Sequence, residues 1–389
     1  MFSSRTNWDR TPNRLAEALA RRRAAGLEIL DLTESNPTRC GFAWDAGVLL
    51  DALRHPEIAT YRPEPRGLEG ARSAVHGYYA GQGIAIEDAR IVLTASTSEA
   101  YSFVLRLLTE PGDQVLGPAP SYPLIQYLAD LHDLTLSHYR LLYDHGWTVD
   151  IAALESSVTD RTKAVIAVSP NNPTGSYLGD ADCKRMSRLA ATRGMALVVD
   201  EVFRDYTWND TGRRPVSTAT VEECLTFTLS GLSKVSALPQ MKMGWIVVSG
   251  PAALRDEALA RLEVIADTYL SVSAPVQVAA RSLIEMRAAV QERILRRIRS
   301  NLAELDDLLG GSQCSRLQGD AGWYAVLRVP TTRGDEEWAL ELIEKEGVSL
   351  LPGHFFDFPG EGHLVISLIS PPETIRAGCN RLLRLCASE

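Results

Sequence analysis

Lys234 stands in "SGLSK", residues 230 to 234, directly after the apolar run "CLTFTLS". An amine at the end of a buried strand lies in partly dry surroundings, loses proton affinity and becomes a usable nucleophile. Asp200 and Glu201 close another apolar run, "MALVVD". A carboxylate there is costly unless paired or solvated, and Asp200 is suited to meet a protonated nitrogen. Asn172, in the turn "PNNPTG", offers an amide donor to a ligand oxygen. Tyr122, in "PAPSYPL", sits between prolines that restrict its backbone, where its ring can face a flat ligand. Ser96, Thr97 and Ser98 open a helix after "RIVLTAS". The free N–H groups and dipole of such a start favour an anion. Each residue also has a plainer reading as cap, turn, packed ring or surface lysine. Their common placement sets them apart: all follow β-rich runs at the carboxyl end, where open parallel sheets bind ligands.

The elements that must position them alternate. From residue 90, short β-rich runs ("DQVLG", "DLTLSHYRL", "KAVIAVS", "GWIVVSG") are interleaved with helical stretches. Several runs are apolar throughout, as strands buried on both faces are. The alternation predicts an α/β layer with a mainly parallel sheet. After about Ser273 a long charged helical stretch leads to the isolated strands "WYAVLRV", "VSLL" and "HLVISLI" and a closing helix, which reads as a smaller α+β domain. The expected division is an N-terminal arm and part of the small domain over 1–45, a large domain over 46–272 and a small domain over 273–389. "TPNRLAEALARRRAAG" reads as a helix capped by Thr11 and stopped at Gly26.

The 389 residues allow a sizeable core, and the formal net charge of −9 disfavours nucleic acid or an anionic membrane as a general partner. The six cysteines form no CxxC pair, so no zinc or redox site is expected and no metal is assigned. The first residues, "MFSSRTNWDR", hold no apolar signal core, and no apolar run is long enough to span a bilayer; a cytoplasmic enzyme is expected.

"YRPEPRGLEGARSAVHGYYA", "LTASTSEAY", "PAPSYPL", "SPNNPTG", "DEVF" and "SGLSKVSALPQMKMGW", in this order, resemble the class I/II aminotransferases, fold-type I enzymes that use pyridoxal 5′-phosphate. The resemblance covers nearly the whole chain. It implies the three-layer fold of that group and transfer of an amino group between an L-amino acid and a 2-oxo acid. It also implies a homodimer with shared active sites. Lys234 would form a Schiff base with the cofactor aldehyde and then move protons as general base and acid. Asp200 would pair with the pyridine nitrogen, Asn172 would donate to the phenolic oxygen, and Tyr122 would stack on the ring. Ser96, Thr97, Ser98, Ser233 and Lys242 would hold the phosphate, with Ser230 as a further candidate. Tyr61 would reach the phosphate of the partner subunit.

Three residues depart from the family pattern. Phe203 replaces the tyrosine many relatives carry at the end of "DEVF", which removes a donor to the phenolic oxygen; Tyr206 is a candidate substitute. Lys242 stands where most relatives have arginine, so phosphate would meet a point charge rather than a bidentate fork. Val365 matches the arginine that clamps the substrate carboxylate in many relatives. Asn36 and Arg39, in "ESNPTRCGF", are the candidates to supply that contact. The missing clamp keeps a second reading open: β- or γ-elimination, replacement or cyclisation on the same scaffold. A nucleotide dehydrogenase is excluded, because no G-x-G-x-x-G follows an early strand.

Overall fold

The computed structural model describes residues 1–208 and 215–387. Its strands are β1 (Leu30–Asp31), β2 (Ile91–Thr94), β3 (Gln114–Ala119), β4 (Thr135–Tyr143), β5 (Trp147–Val149), β6 (Thr162–Val168), β7 (Ala196–Asp200), β8 (Thr226–Gly231), β9 (Gly244–Ser249), β10 (Ser315–Arg316), β11 (Tyr324–Arg328), β12 (Val348–Ser349), β13 (Leu351–Pro352) and β14 (His363–Ser367). Eight form one sheet in the order β2-β9-β8-β7-β6-β3-β4-β5. β8, β7, β6, β3 and β4 run parallel, as their apolar runs predict. "GWIVVSG" differs: β9 lies antiparallel between β8 and β2. The segment from Leu232 to Met243 forms short helical turns and returns at the same end of the sheet, so it never makes the helical crossover a parallel neighbour needs.

Helices cover both faces of this sheet. Val104, Leu105, Leu259 and Leu262 pack on one face, and Leu154, Met186 and Ala190 on the other. A second sheet, β10-β11-β14-β13, packs with the long helix Arg287–Leu309 and the final helix Pro372–Ala387. Leu15, Leu32 and Phe42 of the N-terminal arm join this core, and β1 pairs with β12. Val276, Ala280, Leu283 and Ile284 pack in one cluster with Val75, Ile91 and Trp245 of the large unit.

The first long helix runs Arg14–Ala24, and its cap is Asn13, whose Oδ1 accepts from Ala16 N at 2.8 Å. Thr11 lies too far upstream for its oxygen to reach the first-turn amides. No helix among the described residues is long and apolar enough to cross a membrane.

Candidate active site

The carboxyl ends of the parallel strands meet the small sheet and the N-terminal arm around one cavity. Its lining includes Ser35, Thr97, Ser98, Tyr101, Tyr122, Asn172, Asp200, Phe203, Ser233, Lys234 and Tyr324. Seven of the residues singled out by sequence are therefore together, though up to 137 positions separate them: Thr97, Ser98, Tyr122, Asn172, Asp200, Ser233 and Lys234.

Lys234 sits on a one-turn helix, Leu232–Val235, that follows β8. Its Nζ lies 4.9 Å from the ring centre of Trp323 and 5.5 Å from that of Phe203. Tyr206 is fully buried, and its hydroxyl donates to the Lys234 carbonyl at 2.6 Å. Tyr206 thus anchors the lysine backbone and does not replace the hydroxyl lost at Phe203. Burial lowers the Lys234 amine to about 8, against the opposing pull of Asp200.

Asp200 ends β7, the central strand. Desolvation raises its carboxyl to about 6, although Val202 N donates to it at 3.0 Å and the nearby Tyr101 hydroxyl also pulls it down. A carboxylate held this way, with only a lysine amine as nearby cation, is an incomplete ion pair. It suits a ligand that brings its own protonated nitrogen. Tyr101 was not anticipated from the sequence. The available signal was its spacing, one helical turn after Thr97.

In "PNNPTG" the two asparagines divide their roles. Asn171 is structural: its Nδ2 donates to Pro120 O and Thr174 Oγ1, both at 3.0 Å, and its Oδ1 accepts from Ser121 Oγ. Asn172 faces the cavity, and its buried Oδ1 has no partner. Gly175, at φ +71°, closes the turn so tightly that a Cβ would lie 2.5 Å from Ala321 O. The Ser230 Oγ, at the end of β8, is also buried and unpartnered.

The helix Thr97–Leu108 starts at the cavity edge. Ser96 is its cap and spends its Oγ on Glu99 N at 3.1 Å, so Ser96 is not part of the lining; Thr97 and Ser98 are. Gly244, at the start of β9, brings this helix start against the lysine loop: a Cβ there would lie 2.9 Å from the Ser96 carbonyl carbon. Lys242 lies two residues before Gly244, exposed and at φ +51°, outside the cavity lining.

The remaining candidates lie elsewhere. Tyr61 is 78% exposed and borders a different surface cavity with Arg62, Leu270 and Ser271. Asn36 accepts from Thr38 N and Oγ1 within its own turn. Arg39 reaches Glu34 at 3.5 Å with 76% of its side chain exposed, and does not border the cavity. The arm contributes Ser35 instead, which lines the cavity together with Tyr324. Neither Ser35 nor Tyr324 was anticipated, because only the packing of the small unit on the large one brings them to the strand ends.

The cavity thus offers an anion site at a helix start, a carboxylate awaiting a cation, an amide facing inward and an amine of lowered proton affinity. The profile of the family described as aminotransferase class I and II matches residues 36–382. A glutamate-pyruvate aminotransferase of Haemophilus influenzae is 26% identical over 92% of this chain and 91% of its own length. An alanine aminotransferase of Mycobacterium bovis is 28% identical over 93% of this chain and 86% of its own. Among solved structures, an alanine aminotransferase from Pyrococcus furiosus superposes with a TM-score of 0.89, covering all of both chains at 21% identity. These relatives lend no support to the elimination or cyclisation reading.

Proposed function

We propose specific roles for the cavity residues from one premise: this chain belongs to the class I and II aminotransferases. It is a pyridoxal-phosphate-dependent enzyme that transfers an amino group between an amino acid and a 2-oxo acid. The cofactor, when bound, withdraws electrons from the substrate carbon that bears the nitrogen, so that its proton can leave.

The residues present fit that group. Thr97, Ser98 and Ser233 take the phosphate at the helix start, with Ser230 and Lys242 close by in the chain. Asp200 takes the protonated ring nitrogen, which completes its ion pair. Asn172 turns its amide to the ring oxygen, and Tyr122, half-exposed at the cavity mouth, covers one ring face. Lys234 is the amine that would bond the cofactor aldehyde and would hold and move the proton at the substrate carbon. The observation that carries this reading is the lowered proton affinity of Lys234 in a cavity shared with Asp200 and Asn172.

Two copies of the chain form the working enzyme in this reading, with Tyr61 of each reaching the other's phosphate. The exposed apolar residues Val48, Leu50, Ile58, Val264 and Leu270 support such an interface. The enzyme is assigned to the cytoplasm. Tyr122, Leu124, Ile125, Phe203 and Tyr324 around the cavity favour a donor with a small or apolar side chain, and alanine with pyruvate is the first pair to assay.

The test is a half-reaction. Holoenzyme mixed with single amino acids, without acceptor, should lose its aldehyde-form absorbance, and adding 2-oxo acid should restore it. Retained aldehyde-form absorbance, with release of ammonia and a 2-oxo acid in proportion to turnover, would instead indicate elimination.

A further inference from the structure

One wall of the cavity comes from the small sheet, and its register determines which side chains share that wall. Tyr324 pairs with Ser367, and Val326 with Val365, in the antiparallel β11–β14 ladder. Directly paired residues and alternate residues along a strand project to the same face. Tyr324, Val326, Val365 and Ser367 therefore share a face, and Tyr324 borders the cavity. Val365 is fully buried on that face, packed with Leu317, Val326, Phe356 and Phe358. The next side chains along the face are Arg328 and His363. They lie two residues beyond Val326 and Val365 and four from Tyr324 and Ser367, roughly 13 Å along the strands from the latter pair. His363 is stacked on Phe358, and Arg328 is exposed.

The consequence is chemical. Among the described residues lining the cavity, Lys234 is the only basic side chain, and its role is taken by the cofactor. What remains for the acid end of a donor is neutral: the hydroxyls of Ser35 and Tyr324, both lining the cavity. We propose that Tyr324 and Ser35 hold the acid end of the amino donor without a fixed cation, and that primary amides of amino acids are donors alongside the acids themselves. This rests on the aminotransferase reading above. A guanidinium fork grips a carboxylate through two charge-assisted bonds and loses both charge and one acceptor when an amide replaces it. A hydroxyl donates to an amide oxygen much as to a carboxylate oxygen. The net reaction balances. R–CH(NH2)–CONH2 and a 2-oxo acid give R–CO–CONH2 and the amino acid of the acceptor. One nitrogen, with its hydrogens and two electrons, passes from donor to acceptor, and the oxo oxygen passes the other way through water.

The experiment uses wild-type holoenzyme and the half-reaction. The best L-amino acid of a panel is compared with its primary amide and its decarboxylated amine, at equal concentrations of free amine. The expected kcat/KM for the amide lies within about thirtyfold of the acid, while the amine, which offers no acceptor atom, falls about a hundredfold or more. A larger loss for the amide overturns the proposal and means that a cation from the arm or the partner subunit holds the acid end. If no amino acid converts the cofactor, the aminotransferase reading fails instead. Tyr324→Phe should lower kcat/KM for acid and amide by the same factor, about tenfold, and leave cofactor absorbance and melting temperature unchanged. Unchanged rates would remove Tyr324 from this role.

Discussion

Lys234 and Asp200 have opposite protonation problems in one cavity, and both are measurable. Lys234 titrates near 8 in the fold, against 10.5 for an ordinary lysine. Between those values the unfolded apoenzyme binds a proton that the folded one has released, so stability rises with pH across that range. Urea midpoints of the apoenzyme should therefore climb from pH 8 to pH 10 relative to Lys234→Met; parallel curves would contradict the assignment. Asp200 titrates near 6 rather than 3.8, so the folded form holds its proton longer and stability falls as pH rises through that window. In the proposed role, the neutral fraction of Lys234 would also set how readily the cofactor aldehyde bonds to it. Loading of apoenzyme should accelerate up to about pH 8 and then level, as followed by absorbance. Lys234→Ala should lose at least about a thousandfold of half-reaction rate, since it removes both nucleophile and proton carrier.

Elements hold these residues through contacts that leave little freedom. Gly244 lets β9 lie against the start of the helix Thr97–Leu108. Gly244→Ala must push that start away from the lysine loop. It should weaken cofactor affinity by about tenfold, a loss of about 1.4 kcal/mol, measured by equilibrium dialysis. Glu201, beside Asp200, does no chemistry. Its buried carboxylate accepts from Ser217 Oγ, Thr218 N and Thr218 Oγ1 at 2.7 to 2.9 Å and faces the Arg204 guanidinium at 3.9 Å. It ties the Ser217–Thr218 segment to the end of β7. Glu201→Ala should cost about 3 kcal/mol in urea unfolding, because buried donors lose their acceptor. An unchanged midpoint would show that water replaces the carboxylate.

Across the whole molecule, two units build the cavity, and the proposed second copy would add to it. Ser121, next to Tyr122, donates its N–H to Phe356 O of the small unit at 2.9 Å, and Gly175 O accepts from Asp320 and Ala321 N. These bonds hold Tyr324 at the cavity. Tyr61 is exposed on a single chain, and in the proposed dimer it would reach the phosphate of the other copy. Sedimentation of the holoenzyme should show two copies, and Tyr61→Phe should loosen cofactor retention without dissociating them. A monomer with full activity would remove Tyr61 from the site.

The strand-ending motifs were legible without coordinates, because each carries its chemistry locally. An apolar run that ends in Asp200, a turn that presents Asn172 and a loop that bears Lys234 are set by residues adjacent in the chain. The parallel order was legible for the same reason, as buried strands alternate with helices. The direction of β9 and the part played by Tyr206 were not. Each depends on what lies opposite in space: β8 and the Lys234 carbonyl. The donor-reading wall is the furthest case. Sequence showed valine where relatives place arginine, but only the β11–β14 register put Val365 and Tyr324 on one face, and only docking of the small unit brought Tyr324 and Ser35 to the cavity. Local chemistry is written in neighbouring residues, whereas facing and closure arise from packing between segments apart in the chain, from 28 positions for Tyr206 and Lys234 to 289 for Ser35 and Tyr324.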